Sequence, residues 1–188
     1  MTSYYKENQN GRSMVEMLGV LAIIGVLSVG GISGYSKAMA KFKLTKAQDQ
    51  ISMLLMNIRT AFATSPNYAG LTNASAIAYN IAPGDMIVGS SNINHAFGGA
   101  VTVSAANASG TADTEYGQYF YIDLTRLGRE ACVSLASSDW GTDGLVSMIV
   151  TPDGGSATTF PAAQIPRPVT GTGCGGKGSY NTIRWLYY

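Results

Sequence analysis

Gly11-Arg12-Ser13-Met14-Val15-Glu16 is followed by 20 uncharged residues, Met17 to Ser36 (MLGVLAIIGVLSVGGISGYS), and the next charge is Lys37. At 1.5 Å rise per residue a helix of that length is about 30 Å long, the thickness of a bilayer hydrocarbon core. A removable secretory signal would carry a shorter apolar run, and the nearest A-x-A triplet, Ala38-Met39-Ala40, lies beyond Lys37. An ordinary membrane anchor is the other bland reading, and the residues in front of the run bear on it. A carboxylate at the centre of a membrane helix costs about 2.5–3.5 kcal/mol on insertion scales, so Glu16 at the head of an apolar span calls for a cationic partner.

Downstream of Lys37 the pattern stays helical but becomes amphipathic. Leu44, Ala47, Ile51, Leu54, Leu55, Ile58 and Phe62 recur mostly three and four apart, forming one apolar stripe. Lys41, Lys43, Lys46, Asp49, Gln50 and Arg59 fall mostly elsewhere on the wheel. Ser65-Pro66 closes the element, because proline disfavours helix in the residue before it. The spacing predicts one helix of about 50 residues, its first half in lipid and its second packed on a globular domain. Within the apolar half, Gly30-Gly31-Ile32-Ser33-Gly34 holds a GxxxG pair, Gly30 and Gly34. Helix propensity is also poorest there, since each glycine costs up to about 1 kcal/mol relative to alanine.

Past Pro66 the composition shifts to Gly, Ser, Thr, Asn, Ala and Tyr with short apolar runs. Ala100 to Ser104, Tyr119 to Asp123, Leu145 to Val150 and Thr182 to Tyr187 read as strands from their β-branched and aromatic content. Gly98-Gly99, Ser109-Gly110, Asp143-Gly144 and Asp153-Gly154-Gly155 punctuate them as turns. Leu124 to Ala136 reads as a short helix carrying Cys132, with Asp123 or Thr125 as N-cap. A long helix followed mostly by strands predicts an α+β domain, an antiparallel sheet laid over the helix.

Composition excludes several function classes. Charged residues make up 12% and the formal net charge is +1, so no electrostatic attraction to nucleic acid is expected. His95 is the sole histidine, which removes His-pair metal sites and leaves a catalytic triad little to work with. It sits in a polar stretch, Asn92 to Ala96, and reads as a surface residue. Gly171 to Gly178 (GTGCGGKG) resembles a phosphate-binding loop but has glycine where Ser or Thr should follow the lysine. Lys177 and Arg184 lie near Trp185, Tyr187 and Tyr188, a combination also found at DNA contacts. Ile183, Trp185 and Tyr187 share one face at strand period, and a terminal sheet strand is the better reading. No catalytic, metal or cofactor-binding residue is expected. Cys132 and Cys174 form no CxxC pair; they are two buried thiols or one disulfide, depending on compartment.

Gly11, Glu16 and the uninterrupted apolar span together resemble the type IV prepilin motif: a polar leader ending in glycine, four residues, glutamate, then about 20 apolar residues. The resemblance implies that a membrane prepilin peptidase cuts after Gly11 on the cytoplasmic side and that the amine of Arg12 is methylated. It also implies that Glu16 pairs with the N-terminal amine of a neighbouring subunit during assembly. Arg12 departs from the hydrophobic residue with which the family usually begins its mature chain. Asn57-Ile58-Arg59-Thr60, Pro66 to Leu71, Phe97 to Val101 and Leu127 to Leu135 extend the likeness to the PilS-like, class IVb branch, over most of the chain.

From this follow a pilin fold and four segments: a 1–11 leader, a 12–36 membrane and filament-core helix, its amphipathic continuation 37–65, and a 66–188 head. The head would be periplasmic before assembly, with the anchor in the inner membrane, and extracellular afterwards. In an oxidising compartment Cys132 and Cys174 should pair, bounding a variable surface region. Gly30, Gly31 and Gly34 mark the stretch where filaments of the family commonly lose helix. Expected partners are further copies in a helical filament, the peptidase and the pilus assembly machinery; the filament would serve adhesion, motility or DNA transfer. The competing readings are a minor pilin, a type II secretion pseudopilin, and an anchored periplasmic enzyme or binding module that would retain residues 1–11.

Overall fold

The computed structural model describes residues 14–141, 143–168, 171–176 and 178–188. The chain divides into two compact units at Lys41/Phe42. One helix, α1 (Met14–Ala61), contributes to both.

In the first unit every large apolar side chain of α1 from Met14 to Tyr35 is exposed, as a lipid-facing or partner-facing helix requires. Two of its serines are satisfied by the helix itself: the hydroxyls of Ser28 and Ser36 donate to the carbonyls of Ile24 and Ile32 at 2.7 and 3.0 Å. That arrangement suits a medium without water. The helix is unbroken through Gly30, Gly31 and Gly34, and a Cβ added at any of them would meet nothing within 4 Å. Among the described residues no contact requires those glycines.

The second unit begins with the amphipathic part of α1. Ala47, Ile51, Leu54 and Ile58 are fully buried, with Leu44, Leu55 and Phe62 packed at the margins, so the anticipated stripe is the helix's core face. The helix ends at Ala61, four residues short of Ser65. Residues 62–64 form a turn, with the Ser65 N–H donating to the Phe62 carbonyl at 3.0 Å, so the chain leaves the helix before Pro66 forces it to.

The sheet has seven antiparallel strands, β1 (Ile87–Val88), β2 (Asn92–Asn94), β3 (Ala100–Ala106), β4 (Tyr119–Leu127), β5 (Leu145–Pro152), β6 (Thr158–Pro161) and β7 (Asn181–Tyr187). Their spatial order is β1-β2-β3-β4-β7-β5-β6, which places the last strand between β4 and β5. Its alternate residues Ile183, Trp185 and Tyr187 are fully buried and share a core with Ile51, Leu54 and Ile58 of α1. Two short helices complete the unit: α2 (Asn73–Ala78), closed by a capping box between Thr72 and Ser75, and α3 (Arg129–Ala136).

One expected element is wrong in part. Leu124 to Leu127 continue strand β4 and do not open the following helix. The register against β7 shifts between Leu124 and Leu127, and Arg126 has φ +57, the conformation of a bulge. Helix α3 starts only at Arg129 with Gly128 as N-cap, so neither Asp123 nor Thr125 caps it.

Candidate functional site

The first candidate is the N-terminal apolar helix with Glu16. Gly11 and Arg12 lie outside the described residues. Glu16 stands in the first described turn of α1 and is exposed among Met14, Val15 and Met17. Among the described residues it has no ion-pair partner. Exposed apolar surface does not stop at the 20 residues a bilayer would cover. Phe42, Met53 and Met56 on α1 are 62%, 55% and 67% exposed. At 3.6 residues per turn they fall within about 60° of one another, opposite the buried stripe. Asp49 and Thr60 lie among them.

The second candidate is the region enclosed by the disulfide Cys132–Cys174, which joins α3 to the glycine-rich segment before β7. Arg129 Nη1 donates to the Gly175 carbonyl at 2.7 Å, and the Gly175 N–H donates to Asn181 Oδ1 at 2.7 Å. Asn181 Nδ2 in turn donates to the Leu127 carbonyl at 3.2 Å. Residues 174 and 175 are therefore tied to α3 and to the sheet. They lead into a strand, β7, where a phosphate loop would lead into a helix. Lys177 lies outside the described residues.

The third is polar and was read incorrectly in the sequence. His95 is not a surface residue: it is 3% exposed. Its Nε2–H donates to the Thr125 carbonyl at 2.8 Å, and Nδ1 accepts the Phe97 N–H at 3.2 Å, so the neutral ring satisfies both nitrogens. Burial pulls the imidazole below its ordinary value, opposed by the bond to Thr125. A Cβ at Gly99 would collide with the Thr125 carbonyl and the His95 ring, which accounts for a glycine there. Gln50, read as part of the polar face of α1, is also buried. Its Oε1 accepts the Ala96 N–H at 3.0 Å and its Nε2 donates to Asp85 Oδ2 at 2.8 Å. The Gln50 hydrogen bond, with Lys46 at 3.2 Å, holds the Asp85 carboxyl below the usual range. Gln50 thus connects α1 to two loops. This is structural wiring.

Arg184 is likewise committed. It grips Asp123 with two bonds of 2.6 Å, donates to the Gly110 carbonyl at 2.7 Å, and lies 4.0 Å above the Tyr121 ring. The bond to Asp123 keeps the guanidinium charged beyond its ordinary range. It is not available to a phosphate backbone. Among the described residues no three His, Cys, Asp or Glu side chains converge on a metal position.

Residues 42–186 match the family described as PilS N terminal. The chain is 30% identical over 139 residues to the major structural subunit of bundle-forming pilus from Escherichia coli O127:H6 (strain E2348/69 / EPEC), covering 73% of this chain and 68% of that protein. The same figures hold for the subunit of that name from Escherichia coli O111:H-. A crystal structure of type IV b pilin from Salmonella typhi superposes with a TM-score of 0.52 at 23% identity, over 78% of this chain and 98% of that one. That last likeness concerns the fold: a long N-terminal helix on an antiparallel sheet.

Proposed function

The chain belongs to the PilS family of type IV pilins and is a structural subunit of a pilus, and from that premise we propose how it is processed and assembled. Prepilin peptidase cuts after Gly11, whose missing side chain lets the backbone lie extended in a protease cleft. The new N-terminus is Arg12, methylated at its amine, with a guanidinium that snorkels to the cytoplasmic surface. The anchored subunit waits in the inner membrane with its head in the periplasm. The assembly machinery then draws it into an extracellular filament of the major-subunit kind.

In the filament Glu16 pairs with the Arg12 amine of a neighbouring copy. A subunit docked in another axial register would leave both charges unpaired in a low-dielectric core, so the pair selects register. Gly30 to Gly34 is the stretch where the helix loosens on assembly. The contacts are heterologous and do not close, which generates a helical polymer. The role is structural, needing no cofactor and no catalysis.

The observation that carries this reading is the exposed row Phe42, Met53 and Met56. A bilayer accounts for the apolar residues up to Ser36 but not for these three, and exposed large apolar side chains on one face mark a protein contact. The test is Glu16→Ala in the native host, with N-terminal sequencing of mature protein and electron microscopy of sheared surface filaments. We expect the mature sequence to begin at Arg12 in both proteins and filaments to vanish in the variant. Normal piliation of Glu16→Ala would refute the assignment.

A further inference from the structure

The methionines of the second unit are either sealed or bare. Met86 and Met148 are fully buried in the core, whereas Met53 and Met56 are more than half exposed. The two exposed residues are three apart on α1, so their thioethers share one face of the helix. The helix cannot roll to hide them, because Ala47, Ile51, Leu54 and Ile58 on its other side are fully buried. Thr60, one turn on, directs its hydroxyl to the Met56 carbonyl at 2.9 Å. Among the described residues no hydrogen bond reaches either sulfur.

Exposure matters chemically, because a thioether is an apolar group that a mild two-electron oxidant attacks, and the attack follows access. A sulfur lone pair attacks one oxygen of hydrogen peroxide, the O–O bond breaks, and the proton of the transferred oxygen passes to the departing hydroxide. The products are methionine sulfoxide and water; sulfur loses two electrons and the peroxide gains them. The new S–O group is strongly polar, on a side chain of nearly unchanged length. On the face of a free subunit, water solvates it. In a dry contact it is stripped of that water, and each unpaired polar group there weakens association by about tenfold or more.

We propose that Met53 and Met56 form a peroxide-responsive modification site, and that their conversion to sulfoxides bars the subunit from the filament. The inference rests on the reading of Phe42, Met53 and Met56 as a contact between copies. It adds that this contact is open to oxidant only before assembly. The waiting subunit presents both sulfurs to the periplasm, and the filament covers them. An external peroxide therefore stops growth at the pool of unassembled subunits and leaves finished filaments standing. Leucine at either position would make an equally apolar contact and would lack this response.

The experiment uses the full chain in piliated cells. Existing filaments are sheared off, the cells are treated briefly with hydrogen peroxide, and regrown filaments are counted by electron microscopy. Peptide mass spectrometry reads the added oxygen at each methionine, in subunits from treated membranes and in intact filaments treated separately. In the membrane pool Met53 and Met56 should oxidise about tenfold faster than Met86 and Met148, and in intact filaments that difference should vanish. Regrowth of the native chain should fall about tenfold, while Met53→Leu/Met56→Leu regrows at its untreated level. The single exchanges Met53→Leu and Met56→Leu are measured alongside, each keeping part of the resistance. Met53→Gln/Met56→Gln, which places an amide at both positions, should abolish filaments without oxidant while the subunit persists in the membrane. Both positions are exposed, so neither pair of exchanges disturbs the core. Fast oxidation of both sulfurs inside intact filaments would overturn the contact on which the inference rests. Protection in filaments, combined with equal peroxide sensitivity of the native and leucine chains, would overturn this inference alone. So would normal piliation of the glutamine chain.

Discussion

Removing the covalent link between Cys132 and Cys174 gives the most direct measure of what holds the head together. The cysteines are 42 residues apart in sequence, and the loop they close contains strands β5 and β6. Chain-entropy arithmetic for a loop of that length gives about 4 kcal/mol at 25 °C, most of it from the freedom restored to the unfolded chain. The native side of the balance changes little, because Arg129, Gly175, Asn181 and Leu127 hold the 174–175 segment by hydrogen bonds that survive reduction. Against the 5–15 kcal/mol that ordinarily separates folded from unfolded, about 4 is a large share. For a unit of this size it corresponds to a fall in Tm of roughly 8–16 °C. The assay is thermal unfolding followed by circular dichroism, comparing the native chain with and without reductant and with the Cys132→Ser/Cys174→Ser chain. Intact mass before and after reduction verifies the bond. A fall of less than about 3 °C would refute the reasoning, since it would mean that the unfolded state gains almost nothing from release of the loop.

Two further perturbations address the buried polar wiring. Arg184→Ala strands the Asp123 carboxylate, whose side chain is only 12% exposed, and should cost about 3 kcal/mol in urea unfolding. Adding Asp123→Asn to that chain should recover part of the loss; no recovery would mean that Arg184 acts only through Tyr121 and Gly110. His95 is held below its ordinary value, so below about pH 6.5 the unfolded chain takes up a proton that the folded chain refuses, and stability falls as pH drops. His95→Gln should flatten that decline between pH 7.5 and 5 in Tm measurements. An unchanged slope would place the proton uptake elsewhere.

Much of this architecture is legible in residue order because periodicity reports burial directly. The 3.6-residue stripe from Leu44 to Phe62, whose centre Ala47, Ile51, Leu54 and Ile58 is fully buried, and the alternation Ile183, Trp185, Tyr187 each mark the core-facing side. The misreadings have physical causes as well. Leu124 and Leu127 are three apart and flank Thr125-Arg126, which imitates a helix turn. In the fold a bulge at Arg126 inserts the extra residue that lets both leucines face the core. Strands β1, β2 and β6 are two to four residues long, too short to display a period, and α2 is a single capped turn and a half. His95 and Gln50 escaped notice because a polar side chain reveals its burial only through its partners. Those partners are backbone groups: the Thr125 carbonyl beside the bulge of β4, and the N–H groups of Phe97 and Ala96 in a loop that composition does not locate. Glu16 stood out for the opposite reason: a charge bordering 20 uncharged residues is conspicuous in one dimension.

The position of β7 has a temporal side. The strand that bridges β4 to β5, Asn181–Tyr187, follows both of them in the chain, so until it arrives the molecule is two half-sheets with two raw edges. A chain crossing a membrane from its anchored front would have to keep those edges from pairing with strangers until β7 came through. Late closure of this kind makes the head an all-or-nothing object. A subunit without β7 would leave no smaller domain behind, only an opened one.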